Sequence, residues 1–332
     1  MPANLYVHFP FCRARCSYCT LFSRAGSSAQ TRAGYVARIA RALAAAESGF
    51  ETVYFGGGSP ALCDLRPVFG ALPGAGEFTV ELHPLDVSEK TLLTLKAGGV
   101  NRISMGVQSL DDDILAHMGR GYTFEEAERA FALVRKHFDN AGIDLISGYP
   151  GERAAITPRH ERLARWGLAH CSVYALQNER RLKGAVDDET VMDRISSTAD
   201  FLAGIGLKRY EISNYAAEGR ECRHNLAVWR GEDYIGLGEG AYGRIGLYRT
   251  KNAMTLSPPP DSETVTPESD LKERTIFRLR TAEGLDASRH PEWRETLDRF
   301  SAQGLLIKSD AGVYRLTPRG SEVCDTILEA IV

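Results

Sequence analysis

The stretch HFPFCRARCSYCTLF, residues 8–22, sets Cys12, Cys16 and Cys19 within a few residues of one another in a chain of 332 residues with seven cysteines. Three is odd and the spacing is tight, which argues against a disulfide framework. A centre with more than two valences for sulfur explains the grouping better. Zinc and iron–sulfur clusters both suit closely spaced thiolates. Structural zinc wants four protein ligands, usually from two short Cys-x-x-Cys hairpins, and no second pair exists here. His8 is an awkward fourth ligand, four residues before Cys12 on a strand-like segment. A [4Fe–4S] cluster on three cysteines leaves one iron open to a small chelating molecule. Unrelated thiols are the third reading, and spacing alone leaves all three standing. Cys63, Cys171 and Cys324 are scattered singly and read as small buried hydrophobes.

Around this stretch the chain repeats a unit. Leu5–Phe9 reads as a strand, followed by the cysteine loop and a helix over about 31–48 with Tyr35, Ile39, Leu43 and Ala46 on one stripe. Strands are expected at 52–55, 78–82, 102–107, 143–147 and 171–176, and one more at RYEIS, 209–213. Helices are expected from about Asp64, from Ser88 to near Gly98, from the Thr123/Glu126 capping box to about Phe138, from Thr157-Pro158, and over about 189–203. Strands alternating with amphipathic helices imply a parallel α/β sheet, and about six units fit an incomplete (β/α)6-type barrel. Such barrels gather their chemistry at the C-terminal ends of the strands. The unusual residues do follow strands: the cysteines after the first, GGGSP (56–60) after the second, Glu81 ending the third, Gln108 after the fourth, and Asp144 on the fifth.

Residues 1–254 are read as this partial barrel with an extension. The proline-rich 255–269 is read as a linker, and 270–332 as a small winged-helix-like domain of helix, helix, hairpin and helix. From Asp270 onward, 10 Lys and Arg stand against 11 Asp and Glu, a net of -1, so a protein-packing role is favoured over DNA binding. The whole chain carries a formal charge of -3, with 43% hydrophobic and 25% charged residues. That balance fits a soluble globular protein and argues against generic affinity for nucleic acid or anionic membrane. No apolar run approaches a bilayer span, and a strand begins by about residue 5. No membrane span and no signal peptide are therefore expected, and the chain reads as a cytoplasmic protein with reduced thiols.

The Cys-x3-Cys-x2-Cys motif with Tyr18 before its last cysteine, and GGGSP after the second strand, resemble the radical SAM superfamily. A narrower resemblance rests on LYVHFPFC, GGGSP, GVNRISMGVQSLDDDIL, GIDLISGYPGE, YEISNYAAEGRECRHNL and GLGEGAYG. In that order they look like the oxygen-independent coproporphyrinogen III oxidase family, which includes a heme chaperone branch. The resemblance implies Cys12, Cys16 and Cys19 as ligands of a [4Fe–4S] cluster. It implies S-adenosylmethionine (SAM) held on that cluster by Tyr6, Tyr18, Gly57 and Glu81. It also matches Gly58, Ser59, Gln108, Arg120, Asp144 and Ala175 to positions lining a second SAM site in the oxidases. The residue types suit such a ligand, since Glu81 can accept hydrogen bonds from ribose hydroxyls or an ammonium group, and Arg120 can clamp a carboxylate.

Two absences favour the chaperone branch, which binds heme and passes it on, over decarboxylation of a porphyrinogen. Thr20 and Leu21 follow Cys19 where the oxidases carry a further cysteine, and only a few residues precede the first strand. ECRHNLAVW (221–229) resembles a His-Asn motif of the chaperones, with Val228 in place of a tyrosine, and makes His224 and Cys222 candidate heme ligands. Arg180, Arg181 and Lys183 are candidate partners for propionates. The chain departs from the family after Glu81, where Leu82 and His83 replace a small residue and an Asp or Asn. Implied partners are heme or a porphyrinogen, a flavodoxin- or ferredoxin-like electron donor, and a heme-accepting protein.

Overall fold

A computed structural model describes residues 2–152, 156–177, 182–184, 186–259 and 262–331. Six parallel strands lie side by side in chain order: β1 (Asn4–Phe9), β2 (Phe50–Gly57), β3 (Ala75–Leu82), β4 (Arg102–Gln108), β5 (Asn140–Ser147) and β6 (His170–Ala175). A seventh parallel strand, β7 (Tyr234–Leu237), flanks β1 on its other side, with Asn4 opposite Tyr234. Antiparallel strands extend both edges: Tyr242–Ile245, Tyr248–Lys251 and Glu263–Thr264 beyond β7, and Asn214–Ala216 and Lys208–Arg209 beyond β6. The sheet curves as an open, incomplete α/β barrel.

The period of two along each strand separates two environments. Leu5, Val7, Val53, Phe55, Phe78, Val80, Ile103, Met105, Ile143 and Val173 face outward and form one core with helix residues such as Tyr35, Ile39, Leu43, Leu92, Phe131 and Leu202. The alternate positions are polar: Asn4, His8, Thr52, Glu77, Thr79, Arg102, Ser104 and Ser172 are all buried. The lumen is thus lined with groups that can hold a ligand or one another.

The helices begin where the sequence signals stand. Ser88 accepts from the Thr91 N–H at 3.1 Å and opens Glu89–Ala97, and Thr123 and Glu126 close the expected capping box on Phe124–His137. The first helix runs Ala29–Leu43; it starts earlier than expected because Ser28 caps it, and it also stops earlier, at Leu43. RYEIS is not one strand: Arg209 ends a two-residue strand, and the chain turns before Asn214 pairs back onto β6. The helix expected from Asp270 starts at Pro267, three residues inside the segment read as linker, with Thr266 as its cap. Arg244, 4% exposed, and Arg249 reach from the sheet extension to pair with Asp270 and hold this helix to it, while Arg274 pairs with Asp270 from the next turn of the same helix.

The C-terminal residues form a separate apolar cluster around Leu279, Trp293, Leu297, Tyr314 and Ile327, with a three-stranded sheet of Leu285–Asp286, Val313–Leu316 and Leu306–Lys308. Cys63, Cys171 and Cys324 are buried. Among the described residues, no helix is long and apolar enough to cross a membrane.

Candidate functional site

At the C-terminal ends of the parallel strands lies a cavity of about 600 Å³. Its wall includes Cys12, Cys16 and Cys19, and every expected SAM-site residue except Tyr6: Tyr18, Gly57, Gly58, Ser59, Glu81, Gln108, Arg120, Asp144 and Ala175. The barrel topology explains the convergence, since these residues lie in the C-terminal halves of the strands or in the connections that follow them.

The cysteine loop is pinned at both ends and along its length. Phe11–Cys12 pairs with Arg24–Ala25, and the Ser17 N–H donates to the Met118 carbonyl at 3.2 Å. The backbone N–H groups of Gly58 and Ser59 donate to the Phe9 and Phe11 carbonyls at 2.8 and 2.7 Å. A side-chain brace joins the same two loops: Asp86 accepts from Arg13 Nε at 2.7 Å and also from the Ser59 hydroxyl. Two glycines are required by contact. A Cβ at Gly57, where φ is 109°, would stand 2.6 Å from the His8 ring; one at Gly58 would stand 2.4 Å from the Phe11 carbonyl oxygen and 2.9 Å from Cys12 Sγ.

Burial, then the nearby Cys19 and Cys16 sulfurs, pushes the Cys12 thiol pKa up. Among the described residues, however, no three His, Cys, Asp or Glu side chains close to the spacing of a single-ion site. Three thiols around one cavity mouth are a donor set that a polynuclear cluster can use. His8 is committed elsewhere. Its Nε2 lies 2.9 Å from the Phe22 carbonyl, which can only accept, so Nε2 carries the hydrogen and Nδ1 accepts from Tyr6 Oη at 2.9 Å. Tyr6 thus sits outside the cavity and supports the return of the cysteine loop through His8.

Deeper in, Glu81 accepts from Tyr54 Oη at 2.9 Å and from the Gly57 N–H at 3.1 Å. Burial, then repulsion from Asp144, raises its pKa to about 7. Asp144 accepts from Ser104 Oγ at 3.0 Å, and burial raises its pKa too. Arg120 is largely occupied: Nε donates to Tyr122 Oη at 3.0 Å, Nη2 to the Gly106 carbonyl at 2.7 Å, and Nη1 to Tyr18 Oη and Cys16 Sγ at 3.3 and 3.4 Å. The carboxylate clamp expected of Arg120 is in this arrangement a brace next to Cys16. Gln108 adopts φ 70° where the β4–β5 register shifts, a conformation rare outside glycine and typical of functional sites.

The two candidate heme residues are not brought to this cavity. Cys222 and His224 belong to the start of a helix, Arg223–Trp229, that plugs the N-terminal end of the lumen. Glu77 accepts from the Arg223 and His224 N–H groups, each at 3.1 Å, with Cys222 Sγ at 3.7 Å. His224 Nδ1 lies 2.8 Å from Thr52 Oγ1, and its ring rests 5.4 Å from that of Tyr54. Burial, helped by Arg102, lowers the His224 pKa to about 3; burial raises that of Cys222 to about 12. In this arrangement both side chains close the base of the barrel. Arg180 and Arg181 lie outside the described residues.

Sequence reasoning missed Arg13, Tyr54, Asp86 and Tyr174 and met His83 only as a departure from the family pattern; all five are on the cavity wall. Alternation along β2 would have placed Tyr54 in the lumen beside Glu81. Asp86 had no comparable signal, because its partner Arg13 lies on a different loop.

Three comparisons bear on this site. The family model of the Radical SAM superfamily matches residues 6–156. The heme chaperone HemW of Bacillus subtilis is 30% identical over 99% of both chains, and that of Synechocystis is 32% identical over 89% of this chain and 82% of the relative. The solved structure of Escherichia coli coproporphyrinogen III oxidase, HemN, covers 99% of this chain and 90% of its own at a TM-score of 0.80 and 19% identity, a likeness of fold. The chain therefore belongs to the radical SAM superfamily and, within it, to the family of the heme chaperone HemW.

Proposed function

We propose that this protein is a heme chaperone that carries a [4Fe–4S] cluster and SAM, binds heme and hands it to acceptor proteins. The observation that carries the reading is that one cavity gathers all three motif cysteines and nine of the ten expected SAM-site residues, in a chain related end to end to heme chaperones. Cys12, Cys16 and Cys19 would hold the cluster, whose chemistry is an iron left open for the amine and carboxylate of SAM. Glu81, ionised above about pH 7, would accept hydrogen bonds from the ligand's hydroxyl or ammonium groups. Gly57 and Gly58 would let backbone approach it closely. Arg120 would offset negative charge at Cys16.

Heme belongs, in this reading, at the open rim. There Leu21, Leu85 and Tyr174 are 53%, 44% and 40% exposed around a polar floor, an arrangement suited to an apolar macrocycle with charged edges. The C-terminal domain, with its net charge of -1, is read as a winged-helix-like packing module, and a flavodoxin- or ferredoxin-like protein as the reductant. The test is anaerobic cluster reconstitution followed by parallel heme titration and SAM-cleavage assays. Stoichiometric heme retention and transfer without turnover is the expected result. 5'-Deoxyadenosine formed in step with decarboxylated porphyrinogen would make the protein an oxidase instead.

A further inference from the structure

His83 is the one histidine on the cavity wall among the described residues, and it replaces the acidic or amide residue expected there from the family resemblance. Its tautomer follows from geometry. The Leu85 backbone N–H can only donate, and it meets Nδ1 at 3.2 Å. Nδ1 is therefore the acceptor, and the hydrogen of the neutral ring sits on Nε2. Burial, then the positive charges of Arg120 and Arg13, lowers the ring's pKa to about 3, so the neutral form persists at physiological pH. The ring stands edge-on to Tyr122, 5.2 Å between centroids at 80°, which fixes its plane. None of these contacts uses Nε2–H, and no described residue accepts from it.

The surroundings favour an anion. Arg13 and Arg120 lend positive potential, yet Arg13 is bound to Asp86, and Arg120 donates to Tyr122, Tyr18, Cys16 and Gly106. Positive potential with mostly committed donors, beside one uncommitted N–H, suits a ligand carboxylate that needs a directional partner. We propose that His83 Nε2–H receives a carboxylate of the bound ligand and makes residue 83 a specificity determinant of this chain. The proposal rests on the reading of the cavity as a SAM and heme site. Two carboxylates fit the chemistry, the methionine carboxylate of SAM and a propionate of heme.

Binding by the full chain with its cluster reconstituted separates the sources. Wild type, His83→Asn and His83→Gln are titrated with SAM and decarboxylated SAM, and with heme and heme dimethyl ester. The Asn amide oxygen takes the place of Nδ1 and keeps the Leu85 bond, but nothing replaces Nε2–H; the Gln amide can supply an N–H near the place of Nε2. His83→Asn is expected to weaken one free acid by roughly ten-fold while leaving its carboxyl-blocked counterpart unchanged, and His83→Gln to keep most of the affinity. Loss confined to the SAM pair assigns the methionine carboxylate; loss confined to the heme pair assigns a propionate. Equal losses for free and blocked ligands, or no loss at all, overturn the subsite while the heme-chaperone reading stands. Wild type that binds neither SAM nor heme overturns both.

Discussion

Glu77 and Glu81 are the same residue type on the same strand, four positions apart, and both side chains enter the lumen, yet the structure treats them in opposite ways. Glu77 meets two backbone N–H groups of the plug helix and is 5% exposed. Glu81 has one backbone N–H and one tyrosine, faces a cavity, and has its pKa raised to about 7 by burial and Asp144. A carboxylate whose acceptor capacity is met by the chain is architecture. One left partly unmet beside open space is a site.

Substitutions at the two ends should therefore fail differently. The largest effect is expected at the rim: Gly58→Val drives a side chain into the Phe11 carbonyl and Cys12 Sγ and should abolish most iron incorporation, read as iron per chain after anaerobic reconstitution. At the base, Glu77→Ala strands two buried N–H groups and should cost about 3 kcal/mol in urea unfolding, with SAM affinity of the folded fraction little changed.

Glu81 gives a signature in pH. Its folded pKa of about 7 lies above the ordinary value near 4.5, so its contribution to stability is fully present below about pH 4.5 and is lost as pH rises through about 7. That loss is on the order of 3 kcal/mol for the ligand-free protein, and Glu81→Gln should remove it from the pH dependence of the urea midpoint. A ligand that donates to the carboxylate needs the ionised form, so SAM affinity in wild type should fall by up to about ten-fold per pH unit below that pKa. The smallest effect is expected from His224→Gln, which should leave heme affinity within about two-fold. A larger loss without a matching loss of stability would move heme from the rim to the base.

Much of this architecture was legible because it is local. Strand alternation, the caps at Ser88 and Thr123, and the cysteine spacing each act within a few residues, and barrel topology then brings the motifs to one rim. What was missed depends on distant partners. β7 is four residues long and is defined by pairing with β1, more than 200 residues earlier. The plug helix exists because Glu77 caps it across 146 positions. Without that partner in view, ECRHNLAVW offers two candidate ligands and no sign that its Cys and His are buried against Glu77 and Thr52. The Arg13–Asp86–Ser59 brace escaped for the same reason. At Thr266-Pro267 the helix-start signal was present, but the surrounding prolines concealed it.

The most direct test of the central claim is the iron and acid-labile sulfide content of anaerobically reconstituted wild type and Cys16→Ala. About four irons and four sulfides per wild-type chain are expected, with SAM binding, and loss of both in the variant. One zinc without iron in wild type, or iron and SAM affinity unchanged in Cys16→Ala, would contradict it.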